Sequence, residues 1–235
     1  MIGAFAHTGA SANITGTPSR IVLFDFDGVL VRGDSFTLFL RDRYARAWWR
    51  GLLLLPLLPA LALLATTRRG HRAAARFIVV WALCGVDVSL YRTLAETFGH
   101  ALARDSREFS RAALAALNAH RHAGDRVFVV TACEEMLARA ILDELGLDAV
   151  ELVGSRLAPS RFGMRIALHN RGIEKANQLR LRGVRPPWDI AYSASLDDLP
   201  MLAAARAAVL VNPDRATLAA VSARLRRRLS VVEWQ

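Results

Sequence analysis

Four apolar residues, Ile21-Val22-Leu23-Phe24, run directly into two carboxylates spaced i, i+2, Asp25 and Asp27, and Gly28 follows at once. A short apolar run closed by a turn signal reads as a strand buried in a parallel sheet, here over residues 21–26. Open α/β sheets place their ligand sites beyond the carboxyl ends of such strands. In an extended chain, residues i and i+2 point the same way. Two carboxylates on one edge make a poor core and a good place for Mg²⁺ and phosphate chemistry. Taken alone, the pair also fits two solvated loop acids.

The 235 residues suffice for one domain with an insertion, and 53% apolar against 22% charged residues excludes a disordered chain. Cys84 and Cys133 lie far apart without metal-ligand spacing, so reduced thiols in a reducing compartment are expected. The six histidines form no ligand pattern, and His120-Arg121-His122 reads as a solvated loop. The net charge of +10 is unevenly spread. Arginines 41, 43, 46, 50, 68, 69, 72 and 76 are opposed within that stretch only by Asp42. They bracket an apolar run, and no nucleic-acid-binding motif is visible, so an anionic membrane surface is the expected partner, with no nucleic acid. Of the 31 basic residues only Lys175 is a lysine, which suggests a place where a compact ammonium is required.

Residues 1–18 are small and polar, lack the character of a signal peptide, and read as a loose tail. A helix is expected over 38–49. Residues 52–65 carry no polar side chain and include Pro56 and Pro59. As one helix they would reach about 21 Å, short of the roughly 30 Å hydrocarbon core. A second apolar run covers 77–86. Arginines on both sides suit a shallow, re-entrant or interfacial hairpin better than a crossing span; the alternative is a hairpin buried against protein. Helices are expected over 91–119, 134–145 and 172–181, and strands over 127–131, 149–153, 189–194 and 208–211. Residues 155–170 read as a hairpin. Strands alternating with helices imply an α/β doubly wound parallel sheet. The division is a tail (1–18), a core (19–33 and 120–235) and a helical insertion after the first strand (34–119) that contains the apolar hairpin (52–86).

Four short pieces occur in order: Asp25-Phe26-Asp27-Gly28, Val129-Val130-Thr131, Gly172-Ile173-Glu174-Lys175, and Tyr192-Ser193-Ala194-Ser195-Leu196-Asp197-Asp198-Leu199-Pro200. This set resembles the haloacid dehalogenase (HAD) superfamily over residues 21–213. Asn212-Pro213-Asp214 looks like its phosphoserine-phosphatase-like branch. The resemblance implies that fold, a Rossmann-like core with a helical cap, and a set of roles. Asp25 would attack phosphorus to form an aspartyl-phosphate. Asp27 would protonate the leaving oxygen and later deprotonate water. Thr131 would donate to the phosphoryl group, and Lys175 would neutralise negative charge beside it. Mg²⁺ would be held by Asp25, by the Asp27 carbonyl and by an acid of the fourth piece.

The fourth piece departs from the pattern, because Ala194 stands where the family has an acid. Asp197 or Asp198, through a shifted turn, is the expected replacement metal ligand. A catalytically impaired lipid-phosphate-binding protein is the alternative. The apolar, arginine-flanked insertion, with Gly172-Ile173-Glu174-Lys175-Ala176-Asn177-Gln178-Leu179, looks like that of the phosphatidylglycerophosphatase C type. This resemblance implies hydrolysis of phosphatidylglycerophosphate to phosphatidylglycerol at the cytoplasmic face of the inner membrane. The rival enzyme reading is a soluble, cytoplasmic phosphomonoesterase of the phosphoserine phosphatase type. Asp34 and Arg41 are candidate substrate contacts beside Thr131 and Lys175.

Overall fold

β1 (Ile21–Phe24) is formed by the opening apolar run and lies in the middle of a seven-stranded sheet. The structure, a computed structural model, describes residues 19–225 and 229–234, so the tail expected over 1–18 lies outside the described residues. The order across the sheet is β4 (Gly163–Leu168), β3 (Glu151–Ser160), β2 (Arg126–Glu134), β1, β5 (Trp188–Ser193), β6 (Ala205–Val211) and β7 (Leu229–Val232). All neighbours are parallel except β3 and β4. Phe24 pairs with Val129 on one side and with Tyr192 on the other. The chain thus builds outward from β1 in both directions, and open α/β sheets form their ligand crevice at such a switch point, beyond the strand ends.

Alternation along β1 separates two apolar layers. Val22 and Phe24 join a cluster with Val129, Leu137, Ile141, Tyr91 and Leu117, whereas Leu23 joins Phe128, Val130, Ala176, Leu179 and Met201 on the other face. The first layer uses α5 (Val88–Arg104), α6 (Arg111–His122) and α7 (Glu135–Glu144). The second uses α8 (Ile173–Leu181) and α9 (Leu199–Ala203), with Val221 of α10 (Arg215–Leu225). Gly99 lets α5 approach α7 closely, since a Cβ there would stand 2.8 Å from that of Ala140. α5 and α6, expected within the helical insertion, therefore belong to the layer over the sheet.

The rest of the insertion consists of α1 (Ser35–Arg46), α2 (Trp48–Leu54), a 3₁₀ turn (Leu55–Leu57), α3 (Leu58–Leu64) and α4 (Arg68–Ala82). Asp34 starts α1 by accepting from the Thr37 N–H, and Thr67 starts α4 by accepting from the Gly70 N–H. The helix expected over 38–49 begins earlier and stops at Arg46. The run over 52–65 divides because Pro56 and Pro59 have no N–H to donate, and each falls in the first turn of a new short helix. No single described helix is long and apolar enough to cross a membrane, and α1 meets the segment Trp48–Leu64 at 97°.

Three further expectations change. The strand over 149–153 continues to Ser160 and turns back through β4, giving the hairpin expected over 155–170. β7 and α10 were not anticipated. His120 and His122 form the last turn of α6 rather than a loop. His120 lies between Asp125 (2.7 Å) and the Tyr192 hydroxyl (3.0 Å), partners that sequence order could not disclose.

Candidate active site

Asp25 leaves the end of β1 with almost no exposure (5%). Its Oδ1 accepts from the Phe26 N–H at 2.8 Å and from Lys175 Nζ at 2.6 Å. Lys175 lies in the first turn of α8, is itself buried, and also donates to Asp198 Oδ2 at 2.8 Å. An ammonium has three hydrogens, so one remains for another oxygen. Asp198 is further fixed by the Ser193 hydroxyl at 2.7 Å. Two buried carboxylates thus share one buried cation. Burial first, and then the charge of Asp198, pushes Asp25 well above the usual carboxylate range. Burial acts on Asp198 in the same sense, but Lys175 and the hydrogen bonds hold it below its ordinary value. Burial opposes the charge of Lys175, yet the two aspartates raise it.

Asp27 lies close enough to Lys175 to feel its charge. Its Oδ1 accepts from both the N–H (2.9 Å) and the hydroxyl (2.7 Å) of Ser35. Burial raises Asp27 to about 6, with the Ser35 bonds acting against it. That value lets the acid give and take a proton near neutral pH. Thr131 is fully buried on β2, and its Oγ accepts from the Cys133 N–H at 2.8 Å, which leaves the hydroxyl hydrogen available. Asn170 braces this strand by donating from its side-chain amide to the carbonyls of Thr131 and Val153.

Of the eight residues and positions singled out from sequence, the structure gathers Asp25, Asp27, Thr131, Lys175 and Asp198. Asp197 is not brought in; it is exposed and bound to Arg171 at 2.7 Å. Arg41 is exposed on α1. Asp34 is exposed at the start of α1 and close enough to Asp27 to raise its pKa. Ser35, Ser193 and Asn170 were missed, because a serine or asparagine carries no signal until the fold places it against an acid or a strand. His169 was missed too. It is pushed down by its surroundings and then by Arg171, Arg76 and Arg72, with Asp34 acting against them. Arg72 and Arg76 of α4 lie close enough to His169 to act on its charge.

The donor set does not make a preformed Mg²⁺ centre. Ala194 directs a methyl group toward Gly28, whose own Cβ, if present, would lie 3.2 Å from it. Asp198 shares its Oδ2 between Lys175 and Ser193 and is in hydrogen-bond contact with Asp25, whereas Asp197 is bound to Arg171. Among the described residues no three Asp, Glu, His or Cys side chains converge as metal ligands. Asp25 and Asp27 offer carboxylate oxygens, and the Oδ1 of Asp198 is not engaged by Lys175 or Ser193; Mg²⁺ demands six oxygens in all.

The insertion has a second unusual surface. Trp48 (69% exposed), Trp49, Leu52, Leu53, Leu55, Leu57, Leu58, Leu63 (74%) and Leu64 form an exposed apolar ledge. Its base is fastened to the end of α4. Arg50 donates to the Trp81 and Cys84 carbonyls at 2.8 Å each, and Trp81 Nε1 returns a bond to the Arg50 carbonyl.

The class defined by this fold and this cluster is a phosphoric monoester hydrolase. A family model for haloacid dehalogenase-like hydrolases matches residues 22–203, and the chain belongs to that family. Phosphatases of this family generally use Mg²⁺. The chain is 32% identical over 207 residues to Protein CicA of Caulobacter vibrioides, covering 83% of this chain and 89% of that protein. It is 30% identical over 206 residues to phosphoserine phosphatase SerB1 of Mycobacterium tuberculosis, covering 81% of this chain and 64% of that one. A solved structure of a protein of unknown function from Bordetella pertussis Tohama I superposes with a TM-score of 0.68 at 21% identity, covering 92% and 99% of the two chains. A substrate-bound phosphoserine phosphatase superposes with a TM-score of 0.53 at 13% identity, covering 87% and 91%. These structures share the fold.

Proposed function

We propose that this chain hydrolyses a phosphomonoester carried by a membrane lipid, with the α2–α3 ledge seated in an anionic membrane surface. The exposed ledge is the observation that carries the lipid reading. Monomeric soluble proteins rarely expose contiguous apolar patches beyond a few hundred Å², and this one ends in arginines. Arg46 pairs with Asp42 and Arg50 holds main-chain carbonyls. Arg41, Arg69, Arg72 and Arg76 are exposed and suited to anionic headgroups, each contributing about 1 kcal/mol near such a surface. Phosphatidylglycerophosphate fits as substrate, since its phosphodiester adds a second negative group for the arginines beside His169.

The chemistry uses the cluster around Asp25. Asp25 Oδ2, free of the Phe26 and Lys175 bonds, forms a bond to phosphorus as the ester P–O bond breaks. Asp27 gives its proton to the departing alkoxide. Water then attacks phosphorus, Asp27 takes a proton from it, and the Asp25–phosphorus bond breaks to restore the carboxylate. Lys175 stabilises negative charge through its third hydrogen, and the Thr131 hydroxyl donates to a phosphoryl oxygen. The products are the lipid alcohol and phosphate.

The likeness to the mycobacterial phosphoserine phosphatase favours a second reading, a soluble phosphomonoester. Flotation with vesicles separates the two. The lipid reading expects the chain to float with phosphatidylglycerol vesicles and not with phosphatidylcholine ones, and expects Trp48→Ser/Leu63→Asp to abolish flotation. A chain that stays at the bottom of the gradient with both, while turning over phosphoserine, overturns it.

A further inference from the structure

We infer that Asn170 is a positioning residue for phosphoryl binding, acting through Thr131, given that the Asp25 cluster is the phosphoryl site; the lipid assignment plays no part. β2 and β3 pair in register up to Val130 and Val153 and meet again at Glu134 and Ser155. Between those pairs β2 advances four residues and β3 only two, so Thr131, Ala132 and Cys133 bulge out of the ladder. Such a bulge re-aims a side chain and leaves main-chain groups without ladder partners. Here side chains replace the ladder. Asn170 Nδ2 donates to the Thr131 carbonyl at 3.0 Å and to the Val153 carbonyl at 2.9 Å. The Ser155 hydroxyl donates to the Ala132 carbonyl at 2.6 Å and accepts from the Asn170 N–H at 2.9 Å. Gly154 allows this close approach, because a Cβ there would stand 3.1 Å from the Cys133 carbonyl oxygen.

Asn170 is fully buried, and both hydrogens of its amide go to these two carbonyls. Among the described residues its Oδ1 has no partner, so donation is the polar role of this side chain. It holds β2 to β3 at the residue whose hydroxyl would meet the phosphoryl group. A hydrogen bond weakens steeply as its geometry departs from line. Loss of the Asn170 amide would therefore weaken the bond from Thr131 to a phosphoryl oxygen while leaving the hydroxyl in the protein.

Calorimetric titration with inorganic phosphate, Mg²⁺ in excess, reads this on four chains: the unmodified protein, Thr131→Val, Asn170→Ala and the double variant. Thr131→Val should bind phosphate about 10-fold more weakly or worse, as for a lost hydrogen bond to a charged group. Asn170→Ala should lose at least about 5-fold in the unmodified chain and no more than about 2-fold when Thr131→Val is already present. A merely structural role would weaken binding whichever residue stood at 131, so additive losses overturn the inference. So does full phosphate affinity in a folded Asn170→Ala chain. Asn170→Asp keeps the size and loses the amide donors, and takes its place in the cycle if the alanine variant does not fold. Failure of both to fold would make the side chain a brace of the fold alone and equally overturns the inference. An unmodified chain without affinity for phosphate strikes the phosphoryl-site reading itself, a failure visible before any variant is made.

Discussion

Lys175 Nζ lies 2.6 Å from Asp25 Oδ1 although the two residues are 150 positions apart, and both are buried. The contact joins the end of β1 to the start of α8. It accounts for the single lysine among 31 basic residues. A guanidinium is a wide planar fork, whereas a crevice between Asp25 and Asp198 admits one compact point charge.

Replacing that charge should be costly. Lys175→Met leaves two buried carboxylates without a cation, and breaking a buried pair in this way costs about 3–5 kcal/mol. Urea unfolding at pH 7 reads the loss. The sign with pH follows from the two acids. Asp198 is depressed, so its stabilising share is full above about pH 4 and is lost as pH falls through its lowered value. Asp25 is raised, so its ionisation opposes folding above about pH 4. The Lys175→Met deficit should therefore shrink on acidification, as both carboxylates become protonated. A deficit independent of pH would contradict the pairing.

Burial raises the proton affinity of Asp27, and Ser35 moderates it. The hydroxyl and N–H of Ser35 favour the ionised carboxylate, while burial raises the group to about 6. As the acid that protonates the leaving oxygen, Asp27 must be protonated, so kcat/KM should fall as pH rises past about 6. Ser35→Ala removes one stabilising bond from the anion and should move that alkaline limb upward. A profile that shifts downward, or not at all, would show that the bond does not act on the reacting acid.

Tyr91 of α5 donates to Glu134 Oε2 at 2.7 Å, and the same oxygen accepts the Met136 and Leu137 N–H groups that start α7. Burial raises Glu134, and these three donors oppose it. Tyr91→Phe should destabilise the fold by about 1.5–3 kcal/mol, the range for a bond to a charged group. Thermal melts check this; an unchanged midpoint would show the bond to be replaced by water.

The ledge is exposed, so polar substitutions there should leave stability within about 0.5 kcal/mol while removing vesicle binding. Trp48→Ser and Leu63→Asp provide the case, read by thermal melt beside flotation. A large loss of stability would mean that the ledge packs against protein.

The central strand and the residues gathered at its end were legible because each combines a local pattern with an unusual residue type. Asp25 and Asp27 end an apolar run, Thr131 ends another, and Lys175 opens a helix. The insertion was harder to read. Hydropathy located the run over 52–65, but the breaks at Pro56 and Pro59 and the outward face of the ledge depend on how Arg50 and Trp81 fasten it. Ser35, Ser193, Asn170 and His120 were illegible for the same reason: their partners come from other strands, so only the assembled sheet gives them a role. β7 was missed because its four residues carry weak alternation and pair with β6 only at the sheet's far edge.

Initial rates on a lipid phosphomonoester held in phosphatidylglycerol vesicles, set beside rates on soluble phosphoserine, test the proposed activity most directly. With Mg²⁺ in excess, the unmodified chain should turn over the vesicle-held ester in preference, and Asp25→Asn should lose at least about 1,000-fold. Preference for phosphoserine without any effect of vesicles, or undiminished turnover by a folded Asp25→Asn chain, would contradict it.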